Sequence, residues 1–184
     1  MRPGEYVYLI ADPTLIPRDK QHHYIEKIVY MPNSYQVNVS TRNISKARLL
    51  RRDLALPNDG FIFCCFNNNY KITPSTFAIW MHILEAVDES VLWLFESNTN
   101  SVKNLKKEAI KFGINENRLV FAKFLPIEEH LTRIQHADLF IDTLPYNAHT
   151  TTSDALRMGL PVLTCIGRSF ASRVAASLLN AVNL

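Results

Sequence analysis

The chain has 184 residues, 47% of them hydrophobic, and a formal net charge of +3. That suffices to bury one real core and suggests one domain with an appendage, while the mild charge gives no reason to invoke nucleic acid or an anionic membrane. No run approaches the roughly 18 apolar residues of a membrane span, and the N-terminus lacks the apolar core of a signal peptide, so a cytoplasmic soluble protein is expected.

Residues 6–10 read as a short strand, followed by a turn punctuated by Pro13 and Pro17. Residues 22–31 fit a short helix or a mixture with strand, closed by Pro32-Asn33-Ser34. Residues 36–45 carry no period and read as irregular chain. Arg42, Lys46, Arg48, Arg51 and Arg52 mark a basic helical stretch whose plain role is a solvated face. Pro57-Asn58-Asp59-Gly60 is a turn and sets the main boundary, between residues 1–57 and 58–184.

Beyond that turn the pattern changes. Residues 61–66 (Phe-Ile-Phe-Cys-Cys-Phe) form an apolar run of strand length, as in a strand covered on both faces. The three cysteines make no disulfide framework and fit buried thiols in a reducing compartment. Ser75 can open a helix with Phe77, Trp80, Met81 and Leu84 on one face. Residues 91–95 give a second strand. Val102, Leu105, Ala109 and Phe112 mark a helix stopped by Gly113. A third strand (118–121), a helix (128–135), a fourth strand (139–142), a helix (151–158), a fifth strand (161–164) and a last helix (170–181) follow. This alternation predicts an α/β fold, a parallel Rossmann-like sheet with helices on both faces.

Ligands of such sheets bind beyond the carboxyl ends of the strands, and polar residues gather there. Asn67 to Lys71 follow the first apolar strand, Glu128 to His130 the third, and His149 to Asp154 the fourth. Lys71 can neutralise a phosphate, and His130 can stack on a flat ring. The helix opening near Thr151 offers unpaired N–H groups and a partial positive charge, a natural seat for phosphate. Thr151 and Asp154 are equally spaced as a capping box without any ligand. Only 5 glycines occur, with no GxGxxG and no P-loop, so phosphate must be held some other way. Asp138 and Asp142 can share a face of their strand, but Asp138 reads better as a turn residue. The histidines and cysteines have no zinc spacing, and no GxSxG elbow is present.

Five motifs, Phe66-Asn67-Asn68-Asn69-Tyr70-Lys71-Ile72, Pro126-Ile127-Glu128-Glu129-His130-Leu131, Asp142-Thr143, His149-Thr150-Thr151 and the run from Ala171 to Ser177, resemble in order and spacing the C-terminal catalytic lobe of the O-GlcNAc transferase (SPINDLY-like) family. There this lobe follows tetratricopeptide repeats. Ile10-Ala11-Asp12-Pro13 and the run from Tyr30 to Gln36 resemble the end of the preceding lobe. The resemblance implies one lobe of a GT-B fold, truncated at its C-terminus, with a UDP-sugar in the cleft between lobes. It implies transfer of GlcNAc from UDP-GlcNAc to protein Ser or Thr, with no cofactor and no bound metal.

By the same resemblance Lys71 is the catalytic residue, stabilising the departing diphosphate. His149, Thr150 and Thr151 hold that diphosphate through backbone and hydroxyl donors, and Asp154 meets the ribose. His130 stacks on uracil, with Leu125 and Arg133 bordering the base. Asn68 stands where the family often has Gln, and Ile127 where animal members have a ribose-side lysine. The lobe alone is expected to be inactive, its partners being the donor, an acceptor protein, the missing lobe and the repeats. GDP-fucose or UDP-glucose as donor, or a non-catalytic nucleotide-binding module, are the alternatives.

Overall fold

The computed structural model describes residues 7–39, 41–46 and 49–184. Near the start, strands β1 (Tyr8–Ala11) and β2 (Lys27–Tyr30) pair in parallel, Tyr8 opposite Lys27. β1 thus runs to Ala11, and Tyr6 of the expected strand lies outside the described residues. The ambiguous 22–31 stretch resolves into the end of a 3-10 turn, Arg18–His23, and then β2.

The basic stretch is not the helix that its charges suggested. Residues 42–46 are irregular, and a helical turn of the 3-10 type covers only Arg51–Leu54; Arg48 lies outside the described residues. The cause is where the hydrogen bonds go. Ser45 N–H donates to Glu128 O at 3.3 Å, and Ser45 O accepts from Thr132 Oγ1 at 3.1 Å. Arg42 and Arg51 reach Asp154 and Asp138 at 3.0 and 3.6 Å. These backbone groups find partners elsewhere in the fold, so no local helix need form to satisfy them.

The main sheet holds β3 (Ile62–Cys65), β4 (Val91–Phe95), β5 (Leu119–Ala122), β6 (Leu139–Ile141) and β7 (Val162–Leu163), all parallel, in the order β5-β4-β3-β6-β7. Every residue of β3 is buried, as a strand covered on both faces requires. Helix α1 (Pro74–Ala86) begins with proline at its first position and Thr73 capping Thr76 N–H. It buries Phe77, Trp80, Met81 and Leu84, the face its spacing predicted. α2 (Thr99–Lys111) is capped by Asn98 and ends where Gly113 turns to φ +76°. α3 (Ile127–Ile134) and α4 (Thr150–Arg157) follow β5 and β6. Right-handed crossovers put α1 and α2 on one face of the sheet and α3 and α4 on the other, because the strand order reverses after β5. The α/β reading therefore holds, and the switch point lies between β3 and β6.

The final helix is shorter than expected. Ser169 and Ser172 close a 3-10 turn, Phe170–Ser172, and α5 (Val174–Ala181) starts only after Arg173. Val174 and Leu178 of α5 pack with Ala11, Leu15 and Ile16 in a second core, joining the two ends of the chain. At its heart the buried Asp12 carboxylate accepts from Leu15 N–H at 2.9 Å, Tyr35 N–H at 3.0 Å and Ser177 Oγ at 2.6 Å. Cys64 and Cys65 are buried as expected, but Cys165 is exposed. Among the described residues no helix is long and apolar enough to cross a membrane.

Candidate functional site

The carboxyl ends of β3 and β6 carry two loops that meet over the switch point, where open α/β sheets form their ligand crevice. The β6 loop is held by one carboxylate. Asp142 Oδ1 accepts from Thr143 N–H at 2.7 Å, Ala148 N–H at 2.6 Å and Asn67 Nδ2 at 3.2 Å, and Oδ2 from Thr164 Oγ1 at 2.7 Å. Burial pushes its pKa up, while these four bonds pull it down. Thr143 Oγ1 accepts from Asn67 at 2.7 Å and donates to Tyr146 O at 2.7 Å, and Thr73 and Thr76 hydroxyls hold Leu144 O. A loop satisfied from so many sides presents α4 in one orientation.

At the opening of α4, His149 takes the cap position but makes no side-chain cap bond. The capping box suggested by Thr151 and Asp154 is not formed. Thr151 sits inside the helix and donates its hydroxyl to Asn67 Oδ1 at 2.6 Å. Its hydroxyl proton is thus already used, leaving the backbone N–H for a ligand. Thr150 is exposed, and the first N–H groups of the helix have no intrahelical acceptor. The His149 ring stacks on Tyr146 with centroids 5.1 Å apart, its Nε2 is 3.4 Å from Ala171 O, and burial lowers its pKa.

Lys71 comes in from the β3 loop. Its ammonium donates to Asn147 O at 2.9 Å and lies 4.0 Å above the Tyr146 ring. Partial burial lowers its pKa, and Asp142 opposes that shift. Lys71, Tyr146, His149 and the opening of α4 are therefore one constellation, a half-buried cation beside a helix N-terminus.

A second group lies on the other side of the β3 loop. Phe66, Asn68, Phe95, Leu125, His130 and Arg133 line a cavity of about 300 Å³. Asn68 is exposed and caps the short turn Asn69–Lys71. Arg133 is only 2% exposed. Its Nε donates to His130 Nδ1 at 3.0 Å, Nη1 donates to Lys123 O, and the guanidinium sits 5.3 Å from the Phe66 ring centre. Burial brings its pKa down to about 10. Accepting at Nδ1 fixes the His130 tautomer with its proton on Nε2. Burial, with the Arg133 charge second, lowers the His130 pKa to about 4, so the ring is neutral near pH 7.

Asp154 does not join either group. It is 8% exposed, pairs with Arg42 at 3.0 Å, and lines a separate hollow with Ser34, Asn38 and Leu178. Burial raises its pKa, opposed by Arg42 and Arg157. Sequence reasoning missed two residues as parts of the site, Tyr146 and Asn147, while it placed Asn67 at the site edge without its bonds to Asp142, Thr143 and Thr151. Their signal was position alone, since each lies in a loop after a strand.

Comparison with known proteins places this geometry. The description glycosyl transferase family 41 matches residues 39–184. The probable UDP-N-acetylglucosamine–peptide N-acetylglucosaminyltransferase SEC of Arabidopsis thaliana is 35% identical over 182 residues, covering 96% of this chain and 19% of that protein. The corresponding transferase of Caenorhabditis elegans is 41% identical over 134 residues, covering 73% of this chain and 12% of that protein. A solved O-GlcNAc transferase mutant from Thermobaculum terrenum superposes with a TM-score of 0.81 at 27% identity, over 97% of this chain and 34% of that one. The chain spans 19% of the length of the Arabidopsis relative, about a fifth. By the span of the family match, which covers β3 through α5 and both residue groups above, the chain belongs to glycosyl transferase family 41.

Proposed function

We propose that this chain is the UDP-binding lobe of a protein O-linked N-acetylglucosaminyltransferase, moving GlcNAc from UDP-GlcNAc to a Ser or Thr hydroxyl of a cytoplasmic acceptor protein. Residues 58–184 form the nucleotide lobe, and residues 1–57 the end of the lobe before it. The preceding lobe and tetratricopeptide repeats complete the enzyme. The observation that supports this reading is the shared address of two groups at one sheet edge: Lys71 with the opening of α4, and the aromatic cavity around His130.

In the reaction the bond from the sugar's anomeric carbon to the β-phosphate oxygen breaks, and a bond to the acceptor oxygen forms as that hydroxyl releases its proton, so the products are the glycosylated side chain, UDP and a proton. UDP leaves with growing negative charge. A cation fixed in advance by Asn147 O and Tyr146, together with the free N–H groups of Thr150 and Thr151, lowers that barrier without reorganisation. Lys71 supplies the positive charge, and no resident metal is assigned. The uracil ring enters the cavity of Leu125, His130 and Arg133, stacking on the neutral imidazole beside Asn68. Asp154 meets the ribose only if its carboxylate exchanges Arg42 for a sugar hydroxyl.

Calorimetric titration of the full-length protein with UDP and with GDP, each with and without magnesium, tests the reading. UDP binding that is independent of magnesium and weakened in His130→Ala supports it. Preference for GDP moves the donor to GDP-fucose; UDP binding without GlcNAc transfer leaves UDP-glucose or a non-catalytic nucleotide module. Binding of neither nucleotide rejects the assignment.

A further inference from the structure

A third cavity, of about 650 Å³, opens where the N-terminal segment meets the loop after β7, and nothing above assigns it. Its wall includes Ile16 and Tyr24, and four basic side chains line it: Lys20, His23, Arg168 and Arg173. No carboxylate is among the described residues of its lining. Arg173 is fixed, its Nε donating to Thr14 O at 2.6 Å and Nη1 to Gly167 O at 2.9 Å, so its charge is held in place by neutral carbonyls. Arg168 is exposed, and no hydrogen bond or ion pair among the described residues engages its side chain. Lys20 also meets Asp19 at 3.4 Å, an exposed pair that leaves the ammonium accessible. Like charges gathered in a concave wall focus a positive potential.

The cavity shares the segment from Arg168 to Arg173 with the site described above. Ala171 O, in the loop between Arg168 and Arg173, accepts from Asn147 N–H at 3.0 Å and faces His149 Nε2. It is open at Lys20, His23 and Arg168, all exposed, so an extended polypeptide can cross it. We propose that it receives an acidic segment of the acceptor polypeptide, whose Asp or Glu side chains meet Arg168, Lys20 and Arg173 while the target hydroxyl lies toward Lys71. The inference that the bound segment is an acceptor rests on the transferase reading; the binding of an acidic peptide does not.

The test is fluorescence anisotropy of the full-length protein, saturated with UDP, against two labelled peptides. One is an Asp-rich peptide carrying a serine, the other its Asn counterpart. The acidic peptide is expected to bind about fivefold more tightly, the upper end for a single exposed ion pair. Arg168→Ala combined with Lys20→Ala, both exposed and outside either core, should erase the difference while UDP binding stays unchanged. Equal affinity for the two peptides, or a preference untouched by the double substitution, overturns the proposal. Failure of UDP to bind, read in the same preparation, would instead sink the nucleotide assignment and leave the peptide comparison standing.

Discussion

His130 offers a test of the site that needs no substrate. Its pKa is lowered from an ordinary 6.5 to about 4, first by burial and then by the Arg133 guanidinium. The unfolded chain therefore binds a proton near pH 6.5 that the folded chain refuses until about pH 4. Between those values the unfolded state holds more protons, so stability rises with pH there. The contribution is complete above pH 6.5 and is lost as pH falls toward 4. At pH 4.5 the expected loss is about 2.5 kcal/mol relative to pH 7.5, from 1.36 kcal/mol per pKa unit. Glutamine at this position keeps an acceptor for Arg133 Nε but does not titrate. Urea unfolding of wild type and His130→Gln at the two pH values isolates the term. The other shifted groups, His149 with its lowered pKa and Asp142 and Asp154 with raised ones, are common to both proteins and cancel. NMR titration of the ring gives the midpoint directly. A His130 midpoint at 6 or above, or equal pH dependence in the two proteins, refutes the buried, arginine-locked imidazole.

Substitutions at three further positions separate positioning from contact. Asp142→Ala strands the N–H groups of Thr143 and Ala148 and the Asn67 amide, at about 1–3 kcal/mol each, so a loss of at least about 3 kcal/mol is expected in denaturant unfolding. Asp142→Asn keeps one acceptor oxygen and should lose less than half of that. Thr151→Val removes the 2.6 Å bond to Asn67 and should lower stability by about 1–2 kcal/mol, while UDP affinity by calorimetry falls less than about threefold, because the backbone N–H remains. Lys71→Ala in the full-length enzyme should lower turnover by at least about a hundredfold with little change in melting temperature, since the side chain makes one hydrogen bond and packs on a half-exposed Tyr146; an unchanged rate removes it from the mechanism.

The parts of this fold that the sequence revealed are those whose physics is local. An unbroken apolar run at β3 has no stable home except a strand covered on both sides, and the spacing of Phe77, Trp80, Met81 and Leu84 admits one helix face. In the misread stretch, Arg42, Ser45 and Arg51 take partners more than 80 positions away, on α4, α3 and the start of β6, although Arg51 also donates to the nearby Asn58 and Gly60 carbonyls. No window of neighbours carries that information. Asp138 was rightly read as a turn residue: its Oδ2 accepts from Ile62 N–H at 2.8 Å and so ties the start of β6 to the start of β3. Asp142, four positions on, has the same chemistry and a different job, because β6 delivers its carboxylate beneath the loop that opens α4.

Arg133 shows the same limit inside the site. Three residues after His130 on a short helix, it is within reach of that ring from sequence alone, and the resemblance placed it at the border of the base. Spacing cannot say whether such an arginine faces a ligand or turns under the ring. At 2% exposure, with Nε on His130, Nη1 on Lys123 O and its plane near Phe66, it is committed to protein groups. Its effect on a base in the cavity therefore passes mainly through the imidazole, whose tautomer it sets and whose neutrality, due first to burial, it reinforces. Replacing it with lysine keeps a positive charge and loses the fork that binds two acceptors at once, so the ring's orientation should suffer although the charge survives.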